Sequence, residues 1–91
     1  MNRYQVLITP AALRDIEKHV PRKLRSAVER AIDKLREEPL PPGAKPLHGV
    51  PGLYRIRVGD YRIVYSADRK APSVTVEKVG DRKEVYRFLG R

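Results

Sequence analysis

Cysteine and tryptophan are absent from this chain, and methionine and phenylalanine occur once each. Without a thiol there is no disulfide, no thiolate metal site and no cysteine redox chemistry. The only histidines, His19 and His48, are too far apart in sequence to read as a metal-ligand pair. The phosphate-binding GxxxxGKS/T loop, the dinucleotide-binding GxGxxG turn and the HExxH zinc helix are all missing. No metal and no cofactor are therefore expected. No apolar run approaches the roughly 18 residues of a membrane-spanning helix. The opening Met1-Asn2-Arg3-Tyr4 leads into strand-like sequence rather than an apolar leader. A cytoplasmic protein with no membrane partner is expected. Acidic residues are also scarce: 11 Asp and Glu stand against 20 Lys and Arg, for a net charge of +9 and a pI of about 10.3. Such an excess points to a polyanionic partner, either nucleic acid or an acidic protein.

Ninety-one residues are expected to form one domain, spanning 1–91, with a thin core. Residues 3–8 have the composition of a strand. Thr9-Pro10 supplies an N-cap and a first-turn proline, opening a helix from Pro10 to about His19 with Leu13, Ile16 and Val20 on one stripe. His19 then reads as a helix-terminal cap that compensates the dipole. Pro21 restarts a second helix to about Glu38, in which Leu24, Ala27, Val28, Ala31, Ile32 and Leu35 trace the clearest amphipathic pattern in the chain. Residues 39–52 hold five of the eight prolines and read as a stiff loop. A strand over 74–79 and a short terminal helix over 82–89 complete the order β-α-α-β-β-β-α. The expected architecture is α+β, a two-layer domain whose antiparallel sheet is covered on one face by the N-terminal helical hairpin.

The segment Tyr54–Tyr65 reads as a β-hairpin turning at Gly59-Asp60. Alternation puts Tyr54, Ile56, Val58, Tyr61, Ile63 and Tyr65 on one face, and Arg55, Arg57, Arg62 and Val64 on the other. A two-residue turn sets Arg57 directly opposite Arg62. Like charges so placed cost about 0.2–1 kcal/mol. Three arginines converging on one patch of a basic protein point to an anion site, most simply for phosphate.

Arginines, lysines and tyrosines are enough for phosphoryl chemistry on RNA, because RNA carries its own nucleophile, the 2′-hydroxyl. A protein then needs only to align it, stabilise phosphorane charge and move protons. The guanidinium fork matches phosphate oxygens, and surrounding positive charge favours the phenolate of a tyrosine. Tyr65-Ser66 also offers hydroxyls, but no His-Asp pair is in view to activate them.

The run Val79-Gly80-Asp81-Arg82-Lys83-Glu84-Val85-Tyr86-Arg87, together with Tyr54-Arg55-Ile56-Arg57, Gly59–Tyr65 and the Lys45–Val50 segment, resembles the RelE toxins of the RelE/ParE superfamily over nearly the whole chain. The resemblance implies a type II toxin that cleaves messenger RNA in the ribosomal A site and is neutralised by a cognate antitoxin in a hetero-oligomer. By position it assigns Arg62, Arg82 and Tyr86 as catalytic, and Arg55, Arg57, His48 and Lys83 as RNA contacts. His48 stands where some relatives carry arginine, and Asp81 where relatives often carry His or Lys. It further implies that an antitoxin segment, helical when bound, displaces the terminal segment from Glu84 onward. Two other readings share the fold and the charge. One is a ParE-like toxin that inhibits DNA gyrase without nuclease activity, and the other is a basic RNA-binding module without catalysis.

Overall fold

Gly59 and Asp60 turn the chain between two strands, with a positive φ at Gly59 (+60°) and none at Asp60, the pattern of a type II′ turn. The computed structural model describes residues 3–90; Met1, Asn2 and Arg91, and with them the start of the opening segment read above, lie outside the described residues. The elements are β1 (Gln5–Ile8), α1 (Pro10–Lys18), α2 (Arg22–Lys34), β2 (Lys45–Pro46), β3 (Leu53–Val58), β4 (Tyr61–Asp68), β5 (Ser73–Gly80) and α3 (Arg82–Phe88). They build an α+β domain around one five-stranded sheet of order β1-β5-β4-β3-β2. Among the described residues no helix is long and apolar enough to cross a membrane.

The hairpin register is the expected one, with Val58 opposite Tyr61 and Arg57 opposite Arg62. β3, β4 and β5 form the expected antiparallel meander. The N-terminal strand corrects the all-antiparallel expectation: β1 joins the sheet edge parallel to β5, from Gln5↔Ser73 to Ile8↔Val76. The ladder continues into the helix cap, where the Thr9 N–H donates to Val76 O at 3.1 Å. Alternation reports which face a side chain takes and not which neighbour the backbone finds, so strand direction was not legible. Lys45-Pro46 adds a two-residue edge strand inside the expected loop. Pro46 lacks an N–H, which restricts it to such an edge.

α1 begins as expected, with the Thr9 hydroxyl accepting from the Ala12 N–H at 3.1 Å and Pro10 in the first turn. Its buried apolar residues are Ala12, Ile16 and, just beyond it, Val20, whereas Leu13 is 47% exposed at the edge of the stripe. α2 ends at Lys34 rather than Glu38, because the N–H groups of Leu35, Arg36 and Glu37 bond three residues back, to Ile32, Asp33 and Lys34. Tightening of this kind ends many helices, and the residue before Pro39 is biased away from helical backbone.

The core lies between the helical hairpin and the sheet. Val28, Ile32 and Leu35 meet Ile56, Ile63, Tyr65, Val74, Val76 and Val79 there. Tyr65 is fully buried, tilts against Tyr54 at 6.0 Å and donates its hydroxyl to Pro39 O at 2.8 Å. Burial, and secondarily Tyr54, pushes the Tyr65 phenol up to about 12 from 10. The folded protein therefore favours the neutral phenol. The stability this contributes is complete below the unfolded value of 10 and is lost as pH climbs through about 12. Alkaline unfolding followed by tyrosinate absorbance checks this. Tyr65→Phe is expected to resist that alkaline loss, while costing about 0.5–1.5 kcal/mol near neutrality for the missing hydrogen bond.

One irregularity sets the end of β5. The β4–β5 register shifts by one between Val64↔Lys78 and Tyr65↔Val76, leaving Glu77 without a partner on β4. This bulge changes the parity of the strand, so Val79 rejoins Val74 and Val76 in the core. It also sets Gly80 opposite Arg62. α3 then packs across β4 and β5. It covers part of the arginine face, where Val64 is fully buried and Val85 is 5% exposed.

Candidate functional site

Arg62 and Arg82 are brought together by the step from strand to helix at the end of β5. Arg62 pairs across the ladder with Gly80, and the chain passes through Asp81 directly into α3. Asp81 is the N-cap of that helix. Its carboxylate accepts from the Glu84 N–H at 2.9 Å, and Glu84 Oε1 accepts in return from the Asp81 N–H at 3.2 Å, a complete capping box. The carboxylate at a position where relatives often carry a base thus has a local structural task. Gly80 permits the close seating: a Cβ there would stand 2.9 Å from Glu84 Cβ.

A cleft of about 410 Å³ opens beside this joint, lined by Arg55, Arg62, Arg82, Tyr86 and His48, with Pro46, Leu47, Val85 and Leu89 as its apolar parts. β3 and β4 supply Arg55 and Arg62, α3 supplies Arg82 and Tyr86 one turn apart, and the loop after β2 supplies His48. The expected site residues divide accordingly. Arg55, Arg62, Arg82, Tyr86 and His48 share the cleft. Arg57 is exposed on the same strand face beside Arg62, and Lys83 is exposed on α3 outside the lining.

Among the described residues no carboxylate pairs with Arg55, Arg57, Arg62 or Arg82; the ion pairs are Arg3–Glu37, Arg36–Asp33 and Lys78–Asp15. The crowding registers on Arg62, whose guanidinium is lowered from its usual range first by burial and then by the charges of Arg57, Arg55 and Arg82. Tyr86 is 46% exposed, with the Arg82 guanidinium carbon 5.6 Å from its ring centroid. Hydrogen bonding from Arg82 and then the Arg82 charge lower the Tyr86 phenol; burial opposes them, and the charges of Arg62 and Arg55, each weaker than burial, add to the lowering. A concave patch of guanidinium groups with no carboxylate partner among the described residues is suited to an anion with oxygen forks. The phenol at its rim is biased toward giving up its proton. Among the described residues no three His, Asp or Glu side chains gather as metal ligands.

Asp15 was not singled out in the sequence. It is 6% exposed and lies on α1, on the far side of the sheet from the cleft. Its carboxylate pairs with Lys78 Nζ at 3.3 Å and accepts at 3.2 Å from the N–H of Val79, the residue before Gly80. The pattern did hold a signal. Asp15 falls between Ala12 and Ile16 on the buried stripe, three residues from one and one from the other, and a carboxylate on such a face requires partners.

Comparison with known proteins identifies the family of the fold. The family of the ParE toxin of the type II toxin–antitoxin system, parDE, matches residues 6–86. Toxin RelG of Mycobacterium tuberculosis is 36% identical over 84 residues, covering 92% of this chain and 97% of RelG. The toxin–antitoxin complex RelBE2 of the same organism aligns with a TM-score of 0.76 at 33% identity, over 88% of this chain and 99% of the other. The archaeal RelE–RelB complex of Pyrococcus horikoshii aligns with a TM-score of 0.75 at 29% identity, over 90% of this chain and 97% of the other. The fold and the family match are thus those of the toxin component of a type II toxin–antitoxin system. Within that class the chain belongs to the RelE/ParE superfamily and is of RelE type.

Proposed function

We propose that the protein cleaves messenger RNA in the ribosomal A site, using the 2′-hydroxyl of the RNA as nucleophile. What supports this reading is the convergence of Arg62, Arg82 and Tyr86 on one cleft in which, among the described residues, no guanidinium has a carboxylate partner. Arg62 and Arg82 grip the non-bridging oxygens of the scissile phosphate and stabilise the charge that grows on them in the transition state. Tyr86, its phenol already lowered by Arg82, takes the proton of the 2′-hydroxyl. Oxygen O2′ then attacks phosphorus and the bond to O5′ breaks, leaving a 2′,3′-cyclic phosphate and a 5′-hydroxyl. Arg55, Arg57, Lys83 and His48 contact the RNA backbone on either side.

The natural partner in this reading is a cognate antitoxin, as in the toxin–antitoxin complexes of M. tuberculosis and P. horikoshii to which the chain is similar. Its segment folds on binding and displaces α3, which removes Arg82 and Tyr86 from the sheet. The family match to the ParE toxin favours a second reading, gyrase inhibition without RNA cleavage. Induced expression decides between them. New message ends within coding sequence, with DNA supercoiling unchanged, are the expected result. Intact messages with inhibited supercoiling would establish the alternative.

A further inference from the structure

We propose that His48 is the general acid of the cleavage, protonating the departing 5′-oxygen from the wall of the cleft opposite Tyr86. The assignment rests on the message-cleavage reading above and supplies the half of the proton chemistry that it leaves open. As O2′ attacks, the O2′–P bond forms and the P–O5′ bond breaks. The proton of the 2′-hydroxyl passes to the Tyr86 phenolate, and the imidazolium proton of His48 passes to O5′. Without that second transfer the leaving group departs as an alkoxide, a poor leaving group near neutral pH.

The cleft contains one side chain of the right type. Guanidinium groups do not release protons in proteins, which removes Arg55, Arg62 and Arg82. Pro46, Leu47, Val85 and Leu89 carry no exchangeable side-chain proton, and Lys83 does not line the cleft. Tyr86 is occupied as the base. Imidazole is the side chain that gives and takes a proton near neutral pH, and His48 is the imidazole in the lining.

Its placement suits an in-line displacement, in which attacking and leaving oxygens stand on opposite sides of phosphorus. Tyr86 enters from α3, which packs over β4 and β5, while His48 enters from the loop joining β2 to β3 at the other edge of the sheet. Arg55 and Arg62 lie between them. Arg55 and Arg62 from the sheet and Arg82 and Tyr86 from α3 line the same cleft as His48, and the bound phosphate brings negative charge with which an imidazolium pairs. The loop that carries His48 is closed on itself: the Leu47 N–H donates to Leu53 O at 2.9 Å, and the Val50 N–H to Leu47 O at 3.2 Å. The imidazole is thus presented from a braced turn, where a general acid needs to be held.

The test uses ribosomes programmed with two messages, one with an ordinary scissile phosphate and one with sulfur replacing its bridging 5′-oxygen. A thiolate leaves without protonation. His48→Ala is expected to slow single-turnover cleavage of the oxygen message at saturating protein by on the order of 10²–10⁴-fold, and to leave the sulfur message within a few-fold of wild type. His48→Gln, which keeps polar reach without a transferable proton, is expected to behave alike. Equal slowing of both messages at saturating protein overturns the acid role. A wild-type protein that cleaves neither message overturns the cleavage reading, and this assignment with it.

Discussion

Arg62→Ala is expected to release growth arrest and to lower message cleavage by on the order of 10²–10³-fold, while folding is unimpaired. The first half follows from position. Arg62 is half-buried at the centre of the cleft, on the strand that pairs with the joint leading to Arg82. It can follow charge developing on a phosphate with little reorganisation. The second half follows from its neighbours. Arg62 faces Arg57 across the ladder, and the charges of Arg57, Arg55 and Arg82 together with burial already disfavour its protonated form. Removing it relieves a like-charge pair worth roughly 0.2–1 kcal/mol, so urea unfolding should place the variant at or slightly above wild type. Mapping of message ends measures the activity. Full cleavage by the variant would remove Arg62 from the mechanism, and a fall in stability matching the loss of activity would reduce its role to structure.

Asp15→Ala is expected to give the largest loss of stability from a single polar side chain, roughly 2–4 kcal/mol. The substitution strands two groups at once. The Val79 N–H loses its acceptor on a segment of β5 that has run past the end of β1, and Lys78, whose side chain is 19% exposed, loses its counter-charge. Such a loss is large against the 5–15 kcal/mol of a typical domain. Asp15→Asn separates the two parts, because its carbonyl oxygen still accepts from Val79 while the charge is gone. Thermal and urea unfolding should rank wild type above Asn and Asn above Ala. An Ala variant as stable as wild type would show that water satisfies Val79 and Lys78 equally well.

These two residues mark where the sequence was legible and where it was not. The Arg57–Arg62 register was readable because a two-residue Gly-Asp turn leaves one pairing, and pairing assigns faces. The α2 stripe was readable because its apolar spacing has a single helical solution. The parallel docking of β1, the edge strand at Lys45-Pro46 and the bulge at Glu77 were not, since each depends on which backbone groups meet across long sequence separations. Val64 illustrates the same gap: its place on the arginine face was evident, whereas its burial required knowing that α3 lies over it. Arg82 and Tyr86 came from the family resemblance, and the fold seats them beside Arg62. Lys83, adjacent to Arg82, turns away from the cleft because successive helix positions point in different directions.

α3 has only 7 residues, well below the roughly 12–15 at which an isolated helix begins to hold in water. Its persistence depends on the capping box, the seat at Gly80 and the burial of Val85. Arg82 and Tyr86 therefore face Arg62 only when α3 is docked, and in the proposed cleavage the turnover would be the intrinsic turnover multiplied by the docked fraction. Each change of about 1.4 kcal/mol in docking alters the docked-to-undocked ratio tenfold. On the proposed function, potency becomes a conformational population, adjustable from residues outside the cleft.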